Sequence, residues 1–427
     1  VSASERLAEL FGRRRFAIKP GIERIAALLE QLGHPERSFT TINVVGTNGK
    51  GSTAAFLASI LTSAGHHTGL FTSPHLISYS ERFQVNGQPI PQERLDLLVA
   101  ELLASSKNEE TFFELTTALA CRHFAESGVD VAIIEAGMGG MNDATAAMPG
   151  IISVVTPISL DHCQWLGNSL QKIATEKIGI TKPGITVISA VQKDEVFDII
   201  EDYCVSSASR LLLQGRDFDA VKGPDRLLRF TGVSGSIDNI APSLQGDYQT
   251  GNAAVAMATA EQLHSVGFPV SRQAMRVGIS SARWQGRFEL IELDNGKQLL
   301  LDGAHNPAGA EALSDALAEY AGRRIILLLG VMGDKDLNGL LTPLLKRVQH
   351  IITVTPAQER AVRDTELALA SVAKGVKAEP AGTVAEGFKA AIKAANNGEL
   401  IVAAGSLFLI GELKALIAGI PCEAVRG

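Results

Sequence analysis

The sequence predicts an α/β protein in two domains, each organised on a largely parallel sheet. Three observations carry this expectation. From residue 41 to residue 178, short β-branched runs alternate with segments of helical period, the pattern of strands joined by crossover helices. The alternation restarts past a mostly small and polar stretch at 280–286. The chain of 427 residues also exceeds what one hydrophobic core comfortably fills.

Taken in order, Ile22, Ile25, Ala26, Leu28 and Leu29 give residues 21–32 the apolar stripe of an amphipathic helix. Residues 41–45 read as a buried strand. Ala54, Ala55, Leu57, Ile60 and Leu61 then recur at helical spacing until Gly65. Residues 68–71 are a second strand, ended by Ser73-Pro74-His75, and 80–87 a short strand entering a turn at Asn86-Gly87. Helices are expected over 91–105 and 111–127, and the apolar run 129–135 is a strand buried on both faces. A fourth strand over 151–155 precedes a helix over 169–178, closed by Gly179 and Pro183. Residues 193–246 are less regular, and 253–265 is a helix. Beyond the seam, strands are expected over 299–301, 325–329, 351–354 and 400–403, with helices over 308–320, 337–348, 365–374 and 384–395. The expected domains are 1–284 and 285–427, the second being the smaller.

Composition excludes several classes. Apolar content of 46% and charged content of 20% describe an ordinary globular chain. A net charge of −7 leaves no broad basic surface for nucleic acid. Cys121, Cys163, Cys204 and Cys422 show no paired metal spacing and suit free thiols in a reducing cytosol. The first residues carry Glu5, Glu9 and Arg13-Arg14-Arg15 without the apolar segment of a signal peptide. Glu412 and Lys414 interrupt the apolar run 400–420, which therefore reads as strand then helix, not as a membrane span. A cytoplasmic monomer acting on small molecules, with neither nucleic acid nor membrane as partner, is expected.

The stretch Val44-Val45-Gly46-Thr47-Asn48-Gly49-Lys50-Gly51-Ser52-Thr53 has the layout of a phosphate cradle: strand, glycine turn, lysine, hydroxyls, helix. Glycines let backbone N–H groups approach phosphate oxygens, and the helix N-terminus adds partial positive charge. The usual G-x-x-x-x-G-K-[ST] string is broken twice, by Val44 in place of the first glycine and by Gly51 between Lys50 and Ser52. What stands here is the variant G-T-N-G-K-G-[ST].

Other constellations lie at strand ends, where open α/β sheets bind ligands. Glu135 precedes Gly137-Met138-Gly139-Gly140. A dinucleotide fingerprint is disfavoured, because Asn142 replaces its third glycine and the acidic residue comes first; a metal-binding carboxylate is preferred. Chemistry alone does not assign His162, after Asp161, to a metal that favours oxygen donors. On helix 169–178, Lys177 shares a face with Leu170 and Ile173, while Lys172 and Glu176 lie elsewhere and can pair across one turn. Burial favours a neutral lysine amine, which carbon dioxide can convert to a carbamate; the alternative is a simple pairing of Lys177 with Glu135 or Asp161. In the second half, Asp302 and Asn306 suit turn and capping roles. Arg287 lies at the seam, where it could clamp phosphate, and Gly405-Ser406 offers small residues for a backbone contact.

The order of these signals resembles the folylpolyglutamate synthase/dihydrofolate synthase family within the wider Mur ligase group. It is carried by Gly46 to Thr53, Ser73-Pro74-His75, Glu81-Arg82, Phe113-Glu114, Glu135 with its glycines, Asp161-His162, Glu176-Lys177-x-Gly179, Gly286-Arg287-Phe288, Asp302-x-Ala304-His305-Asn306-Pro307 and Gly405-Ser406. The resemblance implies a P-loop NTPase-like domain followed by a Rossmann-like domain, with ATP between them. It implies nucleotide contacts from Gly46, Thr47, Asn48, Gly49, Lys50, Gly51, Ser52 and Thr53, and from Asn252, Arg287 and Asp302. It implies two magnesium ions held among Ser52, Ser73, Glu135, His162 and a carbamate on Lys177, with a potassium ion as a further cofactor. Substrate contacts fall on Pro74, His75, Arg82, on Thr111, Phe112, Phe113 and Glu114, on Met141, Asn142 and Asp143, and on His305 and Ser406, where glutamate is handled. Lys50, Lys177, His162, Asp302 and His305 are the expected catalytic set. The implied reaction is ATP-dependent amide formation between L-glutamate and dihydropteroate or reduced folates through an acyl phosphate. A Mur-type peptidoglycan ligase and a non-ligase P-loop NTPase are the rival readings. Two departures stand out: Met141-Asn142 replaces the usual Arg-Leu before Asp143, and Tyr248 stands before Gln249 where histidine is common.

Overall fold

The first sheet is built from β1 (Thr40–Val45), β2 (Thr68–Phe71), β3 (Phe83–Val85), β4 (Gln88–Pro89), β5 (Val131–Glu135), β6 (Ile152–Val155), β7 (Thr186–Ser189) and β8 (Arg210–Leu213). Their order across the sheet is β4-β3-β2-β5-β1-β6-β7-β8. All neighbours pair parallel except β3 and β4, which form an antiparallel edge. These facts come from a computed structural model that describes residues 2–13, 21–107, 109–294 and 296–423; Arg14 and Arg15 of the basic run lie outside them.

Both faces of this sheet are covered, which is why its central strands read as continuous apolar runs. Helices Lys50–Ser63, Tyr248–Ser265 and Arg272–Ser281 share one core with residues of β1, β5 and β6. Helices Glu23–Gln31, Gln92–Ser105 and Phe112–Glu126 build a second core. Buried Asn43 in β1 is satisfied locally: it accepts from Gly150 N at 2.9 Å and donates to Met148 O at 3.3 Å. The register pairs Val44 with Glu135 and Val45 with Val155, so the carboxyl ends of three central strands open together.

The stretch expected to be irregular holds β7's successor helix Asp194–Ser206, β8, and a three-stranded antiparallel sheet of β9 (Asp219–Lys222), β10 (Leu228–Gly232) and β11 (Gly235–Ile240). In β10 buried and exposed residues alternate, so no continuous apolar run marks it. The strand expected over 80–87 starts later, because Tyr79–Arg82 forms a 3-10 turn.

The second sheet comprises β12 (Glu289–Glu292), β13 (Gln298–Leu301), β14 (Ile325–Leu329), β15 (His350–Thr353), β16 (Lys377–Pro380) and β17 (Leu400–Ala404). Its order is β12-β13-β17-β14-β15-β16, parallel except for the edge strand β12. Polar β16 and half-exposed β12 escaped the hydrophobic pattern because each is an edge. Helix Leu407–Ala418 follows β17, and no helix among the described residues is long and apolar enough to cross a membrane.

One segment of the first half packs into the second. Leu76 lies in the core cluster of Leu409, Ile410 and Leu413, and a Cβ at Gly411 would stand 2.1 Å from Leu76 O. Glu423 N donates to Ile77 O at 2.9 Å, and the Glu423 carboxylate accepts from Tyr79 N at 2.5 Å.

Candidate active site

The glycine turn after β1 leads straight into helix Lys50–Ser63, whose N-cap, Gly49, has φ 87° and no side-chain cap. The N–H groups of that first turn are therefore left for an anion. Gly46 has φ 139°, and a Cβ there would stand 2.0 Å from Thr156 Oγ1. At Gly49 a Cβ would stand 2.4 Å from Asn252 Oδ1. Both positions demand glycine. Lys50 Nζ donates to Thr47 O at 3.3 Å and lies 3.8 Å from Glu135 Oε1. Behind the loop, Gln249 Nε2 donates to Ser52 Oγ at 3.2 Å, Asn252 Nδ2 to Gln249 Oε1 at 2.8 Å, and Thr53 Oγ1 to Asn252 Oδ1 at 3.4 Å.

Glu135, at the end of β5, is buried. Burial raises its pKa, opposed by the Lys50 charge and by Ser73 N, which donates to Glu135 Oε2 at 3.3 Å. The Ser73-Pro74 peptide is cis. Lys177 is buried as helical phase predicted, and burial, helped by the Lys50 charge, pushes its amine down to about 7. It pairs with neither Glu135 nor Asp161: Nζ donates to Met138 O at 2.7 Å. The expected Lys172–Glu176 pair is also absent. Glu176 instead accepts from Asn142 N at 2.9 Å and Asn142 Nδ2 at 3.0 Å. Two donors in fixed geometry outcompete a flexible lysine placed N-terminal to its glutamate, the weaker orientation on a helix. Met141 N donates to the Glu176 carbonyl at 2.8 Å, so the 140–143 turn is pinned to the helix that carries Lys177.

Along the next wall, Thr111 and Glu114 form a reciprocal cap on helix Phe112–Glu126. Glu114 also accepts from Arg24 Nη2 at 2.7 Å and Nε at 3.3 Å. Arg82 is fully buried over the rings of Tyr79 and Phe112, 5.5 and 5.3 Å from their centroids. Its Nε donates to His75 Nδ1 at 3.0 Å, and burial lowers its pKa to about 10. Asp143 accepts from Met138 N at 3.0 Å and Thr145 Oγ1 at 2.8 Å.

The second half closes the opposite side. Asp302 Oδ2 accepts from Tyr248 OH at 2.7 Å and Phe288 N at 2.9 Å, and Oδ1 accepts from Ala304 N at 2.8 Å. Asn306 caps helix Pro307–Ala316, the capping role its sequence position suits, and also exchanges side-chain hydrogen bonds with Asn48. Asp161 collects the second half's polar groups: Lys335 Nζ at 2.6 Å, Asn306 Nδ2 at 3.0 Å and His305 Nε2 at 3.2 Å. Burial works against its charge, but the His305 hydrogen bond and the positive groups around it hold the carboxyl well below the usual range. Burial lowers neighbouring His162 to about 3. Ser406 caps helix Leu407–Ala418 by accepting from Phe408 N at 3.0 Å.

These groups line one cavity of about 560 Å³ between the two halves. It brings together Gly46 to Ser52, Ser73, Pro74, Arg82, Thr111 to Glu114, Glu135, Asn142, Asp143, His162, Lys177, Asn252, Arg287, Asp302, His305 and Ser406. Three expected residues are not in its lining. His75 is buried behind Arg82, Thr53 behind the loop, and Met141 faces an adjoining cleft with Leu166 and Lys172. The cavity adds residues the sequence reading did not single out: Arg24, Trp165, Lys335 and Arg360. Lys335 follows β14 within Met332-Gly333-Asp334-Lys335, and its place past the carboxyl end of a parallel strand was the available signal. No group of three or more His, Cys, Asp or Glu side chains forms a metal cage among the described residues.

Comparison with known proteins agrees with this geometry. The Mur ligase middle domain matches residues 44–260, and the Mur ligase glutamate ligase domain matches residues 286–407. The chain is 35% identical over 367 residues to a dihydrofolate synthase/folylpolyglutamate synthase of Bacillus subtilis, covering 80% of this chain and 82% of the relative. A structure of the E. coli relative in complex with DHPP and ADP superposes with a TM-score of 0.90 at 29% identity, over 98% of each chain. A Yersinia pestis bifunctional folylpolyglutamate synthase/dihydrofolate synthase, complexed with AMPPNP and a manganese ion, gives a TM-score of 0.88 at 27% identity, over 98% of each chain. With a cavity shared by a phosphate loop and a glutamate ligase domain, this chain belongs to the folylpolyglutamate synthase/dihydrofolate synthase family of the Mur ligases.

Proposed function

We propose that the chain is an ATP-dependent ligase that joins L-glutamate to dihydropteroate, to reduced folates, or to both. The observation that carries this reading is the single cavity, with the phosphate loop on one wall and His305 and Ser406 on the other. Nucleotide, carboxylate and amine then share one cleft. A substrate carboxylate oxygen attacks the γ-phosphorus of ATP and ADP leaves. The glutamate amine then attacks the acyl carbon, phosphate departs, and the nitrogen gives up a proton. Lys50 and the free N–H groups of its helix hold the phosphates while charge shifts to the β–γ bridge. Arg287, half-buried at the seam, supplies a second positive charge, a guanidinium, from the other domain.

The donors present suit a divalent cation. Glu135 is a buried carboxylate with Lys50 Nζ 3.8 Å away; Ser73 bonds to it through its backbone, and Ser52 lines the same cavity. A few protein oxygens, completed by phosphates and water, are what magnesium usually takes, consistent with the lack of an all-protein cage. When bound, the cation would neutralise phosphate charge and polarise the γ-phosphoryl group. Ser52, Ser73, Glu135 and His162 are the residues assigned to hold magnesium, and potassium is the further cation of this reading.

The same reading makes Lys177 a carbamate. Its buried amine, lowered to about 7, is substantially neutral near physiological pH; its nitrogen would bond the carbon of carbon dioxide and give up a proton to water, leaving an anionic carbamate oxygen donor. Crystals grown with bicarbonate should show density for the added carboxylate. An unmodified amine still on Met138 O would refute the carbamate.

The experiment for the activity is phosphate release from ATP with glutamate, with each pterin carboxylate, with both and with neither. Release that requires both partners is expected. Release independent of any amino acid would replace the ligase with an NTPase switch.

A further inference from the structure

We propose that Tyr248 is a positioning residue that fixes Asp302 for the nucleotide and couples the phosphate loop to the second domain; this rests on the nucleotide reading above. Tyr248 begins helix Tyr248–Ser265, whose opening residues include Gln249 and Asn252, the two residues bonded to Ser52 and Thr53 of the phosphate loop. Its ring faces the other way. It packs against the second domain's core, in the cluster that holds Phe288, Leu300 and Ala304. One helical turn therefore touches both walls of the cavity.

The tip of the ring decides the geometry of Asp302. Tyr248 OH at 2.7 Å and Phe288 N at 2.9 Å occupy Oδ2. Ala304 N at 2.8 Å takes one lone pair of Oδ1. A carboxylate offers about four acceptor sites, so a single direction on Oδ1 is left for a ligand hydroxyl. Phe288 follows Arg287, and a Cβ at Gly303 would stand 3.1 Å from Arg287 Nη1. The three donors thus hold the Asp302 carboxylate and the Arg287 segment in one arrangement. A second tie reinforces the join: Lys222 Nζ donates to Asp247 at 2.8 Å, next to Tyr248, and to Glu319 of the second domain at 3.3 Å.

A histidine placed here would carry a donor of its own. A ring N–H could give Asp302 the same hydrogen bond, whereas phenylalanine keeps the packing and removes only the donor. ADP binding is therefore measured by calorimetry on the wild type, Tyr248→Phe and Tyr248→His, beside steady-state kinetics and thermal melts. Loss of one hydrogen bond to a carboxylate should weaken ADP about tenfold in Tyr248→Phe. The kinetic loss should fall on the ATP KM more than on kcat. Tyr248→His should stay within about threefold of wild type. Wild-type affinity in a folded Tyr248→Phe overturns the proposal. If that variant does not fold, Tyr248→His carries the test, and a His variant weakened about tenfold overturns it too. A wild-type protein that binds no ADP would instead remove the nucleotide reading itself.

Discussion

Asn48 of the phosphate loop and Asn306 of the second domain exchange two side-chain hydrogen bonds, at 3.2 and 3.0 Å. Asn306 meanwhile caps its own helix through Gly309 N at 2.8 Å. Removing it deletes an N-cap together with both bonds to Asn48 and the bond from Nδ2 to Asp161 at 3.0 Å. Asn306→Ala should lose roughly 1–3 kcal/mol of stability, read by urea denaturation, with wild-type helix content.

Lys50→Ala should leave melting and circular dichroism near wild type while lowering ATP turnover by at least about a hundredfold, because its charge is aimed at the phosphate site. Turnover close to normal in the folded variant would remove the phosphate-loop assignment.

The side chains of Asp161 and Lys335 are 7% and 9% exposed and lie 2.6 Å apart. Breaking such a pair from one side costs roughly 3–5 kcal/mol, so Asp161→Ala should unfold at clearly lower denaturant. The double variant Asp161→Asn/Lys335→Met, with no stranded charge, should recover most of that loss. A double variant as unstable as Asp161→Ala would show that the pair is not what matters.

His123 gives a pH test away from the cavity. Burial lowers it to about 4, from an ordinary 6.5. Between those values the unfolded chain binds a proton that the folded chain refuses, so stability falls as pH drops from about 6.5 to about 4 and levels off below. His123→Gln should lose less stability than wild type across that window, measured as denaturation midpoint against pH.

Much of this architecture was legible because the deciding forces are local. The runs around β1, β5, β6 and β17 are buried and mostly apolar because both sheet faces are covered, and Lys177 was placed on its buried face by helical phase alone. What escaped had other causes. Edge strands β12 and β16 carry polar residues that mimic loops. Lys335 and Arg24 reach the cavity only through tertiary packing, since Lys335 lies 174 residues from its partner Asp161 and Arg24 lies 90 from Glu114. Glu176 looked like half of a helical ion pair, and its true partner, Asn142, sits on another element.

Leu76, seated among Leu409, Ile410 and Leu413, bears on how this protein can be taken apart. Cutting the chain at the seam would expose Leu76 on one fragment and open its socket on the other, so neither half would keep its native surface. The peg also lies two residues after Pro74, so any shift of the second domain pulls on the residues beside Glu135. Exchanging the second domain for that of a relative would therefore have to carry residues 76–79 along as part of the graft.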